Sequence, residues 1–278
     1  MSDDAMSPYS GVSGLLVQLD AGVLRLTIDR PDTRNALDDA MVAALIDAID
    51  GAGRDEAVRV IVLTGTGDHF CSGFDIVARN AAGSPGGGGR PRVGSIQRRL
   101  PSQAHRLVPL LLQTQTPVVC VVRGWAAGIG LNMALAADVC VAADDARFWA
   151  PFVERGFTPD SGATWMLPRR VGEVRARDML LLGRVVEGTE AAEWGLVHRA
   201  VPVADLDAAA AEVVGQLAGS ATVAVGLTKW LLHSGQTASL DHHLRDEAFA
   251  MELSSRSEDF KEGLAAFREK RSPEYRGR

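Results

Sequence analysis

The stretch from Thr116 to Val141, TPVVCVVRGWAAGIGLNMALAADVCV, decides the fold. It opens with a short β-branched run, Val118, Val119, Val121 and Val122, that reads as a buried strand. A turn with Gly124, Gly128 and Gly130 follows, and the alanine-rich segment from Leu131 to Ala137 reads as a helix. Glycines at such a junction let the backbone approach a ligand closely. The first N–H groups of the helix point out of its end with the positive pole of the dipole behind them. An anion or a developing oxyanion fits there. The spacing is not the dinucleotide fingerprint GxGxxG, and no Walker lysine follows. On this stretch alone, a tight turn that only packs a helix onto a sheet is an equal reading.

A second stretch, Val58 to Ile76 (VRVIVLTGTGDHFCSGFDI), has the same form: a buried strand from Val60 to Leu63, a glycine turn, then Phe70, Cys71, Ser72, Gly73 and Phe74. FCSGFDI followed about fifty residues later by PVVCVVRGWAAGIGLNMALAAD resembles the paired oxyanion-hole signature of the crotonase, or enoyl-CoA hydratase/isomerase, superfamily. RPDTRNAL at Arg30 to Leu37 is similar to that family's opening motif, and FKEGLAAFREKR at Phe260 to Arg271 to its closing one. Four motifs in order cover nearly the whole chain. The resemblance implies an α/β fold, a crotonase-like spiral of repeated ββα units over residues 1–203. It also implies a C-terminal helical trimerisation subdomain over residues 204–278.

The rest of the chain reads consistently with that expectation. Leu15 to Leu19 and Val23 to Ile28 are strands around a hairpin signal, Asp20-Ala21-Gly22. Asp38 is placed to cap a helix carrying Met41, Leu45, Ile46 and Ile49 at helical spacing. Arg79 to Pro101 contains four consecutive glycines and no apolar period, and is expected as a mobile loop. A helix is expected from Ser102 to Gln113, another ending near Pro168-Arg169-Arg170, and a third from Glu173 to Leu182. From Ala204 onward the pattern is helical throughout, which suggests a subdomain after a mixed core.

Composition narrows the class. The 278 residues are 46% hydrophobic and 23% charged, ordinary for a globular protein. A net charge of −6 argues against nucleic acid as a partner. No uninterrupted apolar segment reaches the roughly 18 residues of a membrane span. The opening MSDDAMSPYS has neither the basic nor the apolar region of a signal peptide, so the expected location is cytoplasmic. Cys71, Cys120 and Cys140 show no metal-ligand spacing and read as buried reduced thiols, and no metal is expected.

The resemblance assigns roles residue by residue. The N–H groups of Phe74 and Ile129 match the oxyanion donors, which would hold charge growing on a thioester carbonyl; one such donor is worth about 3 kcal/mol in a transition state. Hydratases of the family use two carboxylates, and the matching positions here hold Asn132 and Phe152. Asp160 in GFTPDSG matches the acidic residue of 3-enoyl to 2-enoyl-CoA isomerases and of ring-opened aryl-CoA isomerases. Near Trp149, Phe152 and Phe157 its carboxyl would be partly desolvated, which raises its pKa and suits it to shuttle a proton. Asp160 equally suits a helix cap near Ser161. Glu154 is the nearest other acid. His105 falls where aryl-CoA dehalogenases of the family carry a histidine base. Arg30, Arg34, Phe267 and Lys270 match positions near the coenzyme A nucleotide, where cations suit phosphates. Coenzyme A is expected as part of an acyl-CoA thioester substrate, with no separate cofactor, in a homotrimer or dimer of trimers. The alternatives are a 2-enoyl-CoA hydratase of fatty acid β-oxidation, a silent acyl-CoA-binding paralogue and a dehalogenase-like enzyme.

Overall fold

The computed structural model describes residue 9, residues 11–76 and residues 94–278. The part of the expected mobile loop from 79 to 93 lies outside the described residues. The first hairpin pairs β1 (Leu15–Asp20) antiparallel to β2 (Val23–Ile28), with Ala21 and Gly22 both at positive φ in the turn. Such a two-residue turn matches the right-handed twist of its strands. Then α1 (Asp39–Ala52) begins under its expected cap, the Met41 N–H donating to the Asp38 carboxylate at 2.8 Å. It buries Met41, Leu45, Ile46 and Ile49.

Each following unit places one strand in a large sheet and one segment in a small one. The large sheet runs β1-β2-β3-β4-β6-β9, where β3 is Val60–Gly65, β4 Val118–Val122, β6 Val139–Ala143 and β9 Arg199–Val201. From β2 onward its neighbours are parallel. Every residue of β4 is buried, as a central parallel strand covered on both faces requires. The small sheet holds β5 (Trp125–Ala127), β7 (Arg147–Trp149) and β8 (Val186–Glu187), and Cys71 bridges onto Ala126 at its edge. After β3, β4 and β6 the chain therefore crosses from the large sheet to the small one at Cys71, β5 and β7 in turn. That repetition is the expected spiral.

Helices fill the spaces between turns of the spiral. They are α2 (Ser95–Arg99), α3 (Leu107–Gln113), α4 (Ile129–Ala136), α5 (Ala163–Leu181) and α6 (Gly188–Glu193). The expected helix from Ser102 to Gln113 is shorter: Gln103 at φ −125°, ψ −116° breaks it, and α-helix begins only at Leu107. The expected end at Pro168 moves to Gly172, whose φ of 79° and ψ of 163° kink α5. Helix α4 starts two residues before Leu131, because Gly128 at φ 56°, ψ −119° turns the chain directly into it.

The C-terminal part is α7 (Leu206–Ala218), α8 (Thr222–Ser234), α9 (Leu240–Ser254) and α10 (Glu258–Glu269). Helix α7 buries Leu206, Ala210 and Val214 in the main core. Helix α8 is pinned by an ion pair that has no signature in the sequence. The buried Lys229 ammonium donates to the Asp138 carboxylate at 2.6 Å and to the carbonyls of Leu111 and Thr116 at 2.9 and 3.2 Å. The same Asp138 oxygen accepts from Val118 N–H at 2.7 Å, at the start of β4. Burial pulls the Lys229 pKa below its ordinary value, and Asp138 opposes that pull. Lys229→Ala strands a partly buried carboxylate and two carbonyls, so urea unfolding should show a loss on the order of 3 kcal/mol. A loss below about 1 kcal/mol, the range of surface pairs, would mean that the pair does not hold α8 to the core.

Candidate active site

The site begins where the two glycine turns meet. Cys71 and Ala126 form a parallel bridge, with Cys71 N–H donating to the Trp125 carbonyl and Ala127 N–H to the Cys71 carbonyl, both at 2.9 Å. Phe74 lies three residues beyond Cys71, and Ile129 three beyond Ala126. Equal steps from one bridge carry both to the same end of the paired segments. Gly73, at φ 111°, lies under Ala127: a β-carbon there would sit 3.3 Å from the Ala127 carbonyl oxygen. A β-carbon on Gly130 would sit 2.5 Å from the Cys71 carbonyl oxygen. Only glycine leaves room for this approach. Ile129 is the first residue of α4, whose first turn leaves its N–H groups without intrahelical partners.

The opening motif braces the first turn. Asn35 is fully buried in a left-handed conformation, φ 58°. Its side chain accepts from Arg30 N–H at 2.8 Å and donates to the Thr66 and His69 carbonyls at 2.9 and 2.6 Å. Leu37 N–H donates to the Gly73 carbonyl, and Asp75 N–H to the Leu37 carbonyl. Arg30 closes the brace, donating to the Ala36 carbonyl at 2.8 Å and pairing with Asp75 at 3.0 Å. Its guanidinium is thus engaged inside the chain, while Arg34 is exposed. The bracing role of Asn35 was missed by sequence reasoning, although an asparagine after Arg34 in a turn is a signal for left-handed backbone.

Asp160 stands on the loop before α5, half-buried. It does not cap the helix with its side chain: Gly162 is the N-cap residue, and no side-chain cap bond is made. Burial raises the carboxyl pKa above its ordinary value, and the Ser161 hydroxyl and the nearby His105 oppose that rise. Ser161 N–H donates to His105 Nε2 at 3.4 Å, and Asn132 Nδ2 donates to the Asp160 carbonyl at 3.1 Å. His105, Asn132 and Asp160 therefore meet, although 55 residues of chain separate the first from the last. Phe152 is buried edge-on to Phe157, ring centroids 5.7 Å apart. Glu154 is exposed and its carboxylate lies over Gly183, turned to a different loop.

Cys71, Phe267 and Lys270 are the remaining residues named from the sequence. Cys71 is fully buried, and burial pushes its thiol up to about 12, which leaves it inert as a nucleophile at neutral pH. All three cysteines are free and buried. Phe267 and Lys270 lie on and just after α10, which is tied to the chain's own tail by Asp259 accepting from the Arg276 and Gly277 N–H groups. A cleft of about 650 Å³ opens beside the Asp160 loop, lined by Val153, Phe157, Pro159 and Leu180 among others. It does not include Asp160, Phe74 or Ile129, so the hydrogen-bond geometry rather than the cleft marks the reacting position. Among the described residues no group of His, Cys, Asp and Glu could hold a metal ion, and no single helix is long and apolar enough to cross a membrane.

The raised pKa of Asp160 has a consequence for stability. A carboxyl whose folded pKa exceeds its unfolded pKa costs the fold nothing while protonated, and its full cost appears above the folded pKa. Asp160→Asn is therefore expected to melt at or above the wild-type temperature at pH 7.5, with the advantage shrinking as pH falls toward 4. A variant less stable than wild type at pH 7.5 but not at pH 4 would show instead that the ionised carboxylate holds the loop.

Comparison with known proteins finds relatives in both sequence and fold. The family model described as enoyl-CoA hydratase/isomerase matches residues 18–278. The 1,2-epoxyphenylacetyl-CoA isomerase of Escherichia coli (strain K12) is 37% identical over 264 residues, 95% of this chain and 98% of that one. The 2,3-dehydroadipyl-CoA hydratase of the same organism is 31% identical over 268 residues, 96% of this chain and 100% of that one. The crystal structure of an enoyl-CoA hydratase from Bacillus anthracis has a TM-score of 0.86 at 30% identity, covering 95% of this chain and 100% of that one.

Proposed function

The chain belongs to the enoyl-CoA hydratase/isomerase family and acts on CoA thioesters, and from that premise we propose that it shifts a double bond, converting a 3-enoyl-CoA to a 2-enoyl-CoA with Asp160 as the acid and base. The observation that carries this reading is the pairing of a desolvated Asp160 with a site whose two hydratase positions hold Asn132 and Phe152. Neither an amide nor a phenyl ring takes a proton from water. One carboxyl suffices for isomerisation. The Asp160 carboxylate takes a proton from C2 and the electron pair moves into the thioester carbonyl, leaving a dienolate whose oxygen is held by the N–H groups of Phe74 and Ile129. Asp160 then returns the proton at C4, the double bond settles between C2 and C3, and the carboxylate is regenerated. A raised pKa suits both steps, because the group must accept and release a proton near neutral pH.

A second reading is favoured by the 37% identity to 1,2-epoxyphenylacetyl-CoA isomerase and by the Phe152–Phe157 ring pair on the segment that leads to Asp160. In it the acyl group derives from an aromatic ring, and the same carboxyl and the same N–H pair serve. Coenzyme A enters as part of the substrate in either case. Arg34, Phe267 and Lys270 are the candidates for its nucleotide end, with Arg30 acting there only if its guanidinium serves phosphate as well as Asp75.

Asp160→Asn should abolish the rise in conjugated-thioester absorbance that wild type produces from 3-enoyl-CoA esters, lowering kcat by about a hundredfold or more. Retention of that conversion would remove Asp160 from the chemistry, and hydration of 2-enoyl esters by both proteins would replace isomerisation with hydration.

The proposed assembly is a homotrimer or a dimer of trimers in the cytoplasm. Leu232, Leu240, Phe249, Met251 and Phe267 of the C-terminal helices are each at least 60% exposed in the single chain, an apolar surface that association would cover. Sedimentation at micromolar concentration should give three or six times the chain mass. A monomer would discard the assembly.

A further inference from the structure

One peptide group next to the reacting carboxyl is held from both sides. The peptide joining Asp160 to Ser161 carries the Asp160 carbonyl and the Ser161 N–H. Its carbonyl accepts from Asn132 Nδ2 at 3.1 Å as well as from the Ala163 N–H at 3.2 Å, and its N–H donates to His105 Nε2 at 3.4 Å. The two side chains come from separate parts of the chain, Asn132 from the buried helix α4 and His105 from the short helical turn before α3. The backbone leaving this peptide is left-handed, with Ser161 at φ 50° and Gly162 at φ 89°. A non-glycine residue with that φ needs its surroundings to keep it there.

Asn132 makes little other use of its amide. Its Oδ1 is buried and without a hydrogen-bond partner among the described residues, which costs the fold free energy. Asn35, the other fully buried asparagine among the described residues, is bonded at both ends of its amide. A buried amide kept for stability alone would resemble Asn35. We infer that Asn132 and His105 are positioning residues: they grip the two ends of the Asp160–Ser161 peptide and so fix the direction in which the Asp160 carboxyl points. The position matching a hydratase carboxylate is thereby used to aim the one carboxyl that remains. Misplacing a reacting group by about 1 Å can cost a hundredfold in rate, so a held peptide plane matters to a proton shuttle that must reach both C2 and C4.

This inference rests on the isomerase reading for its kinetic test, and a second readout frees it from that dependence. Asn132→Leu, His105→Leu and His105→Gln are compared with wild type on a 3-enoyl-CoA in 2H2O. Kinetics and the deuterium content at product C4 are both followed. Asn132→Leu and His105→Leu should lower kcat about tenfold or more with KM within about twofold. They should also raise C4 deuterium, because a carboxyl that wanders exchanges its proton with solvent before returning it. His105→Gln keeps an acceptor for the Ser161 N–H and should stay within about threefold of wild type. Wild-type kinetics and deuterium content in both leucine variants would overturn the inference, as would a change in KM alone or a His105→Gln variant as slow as His105→Leu.

The independent readout is the 13C titration of the Asp160 carboxyl, assigned with Asp160→Asn, in wild type and Asn132→Leu. Release of the peptide should move the titration toward that of an ordinary aspartate. An unchanged titration overturns the inference even where the protein isomerises nothing, an outcome that would sink the functional reading by itself. Asn132→Ala replaces Asn132→Leu if near-ultraviolet circular dichroism shows that the latter has lost its fold.

Discussion

The backbone-to-backbone contact of the two glycine turns is the constraint on which the site depends. Peptide groups at Cys71–Gly73 and Ala126–Gly130 approach so closely that a single β-carbon at Gly130 would collide with the Cys71 carbonyl. That approach is possible because β3 and β4 are neighbours in parallel register and leave the large sheet in the same direction. The spiral is therefore the device that brings two turns, about fifty residues apart in sequence, to one place. Hydrogen bonds across the junction then satisfy the backbone that side chains cannot cover, as buried peptide groups require.

Around this rigid junction the polar side chains divide by function. Asn35 and the Asp138–Lys229 pair brace: Asn35 bonds backbone groups through both ends of its amide, and Lys229 and the Val118 N–H converge on one oxygen of Asp138. The group of His105, Asn132 and Asp160 is different, because it combines a raised carboxyl pKa, an amide oxygen with no partner among the described residues and a left-handed serine. Frustration of that kind is concentrated where chemistry is done and is offset by packing elsewhere. The fully buried α4 supplies that packing, since it carries Asn132 on a helix that has no exposed residue.

Much of the frame was legible in the chain itself. The run Val118–Val122 read as a buried strand, Asp38 as a cap, and the repetition of strand, strand and helix fitted the spiral that the family resemblance implies. The misreadings were local and share a cause. Leu107, Leu110 and Leu111 share one face of the helix expected over Ser102–Gln113, yet Gln103 adopts a conformation that no periodicity reveals. Pro168 reads as a stop, yet it stands inside α5, where it has no N–H to give the Thr164 carbonyl, and the non-helical break falls at Gly172. The candidate residues Phe74, Ile129 and Asp160 were named from motif order, and Asp160 remained divided between shuttle and cap.

The sequence by itself determined the architecture and the glycine positions, because hydrophobic periodicity and the steric freedom of glycine are local properties written residue by residue. Tertiary structure alone decided that the Asp160 side chain makes no cap, that Asn132 and His105 hold its peptide, that Arg30 turns inward to Asp75 and that Lys229 is buried against Asp138. Each of these is an interaction between polar groups dozens of residues apart. Polar side chains carry no periodicity, and their partners are chosen only when desolvation in the packed core makes an unmet hydrogen bond costly.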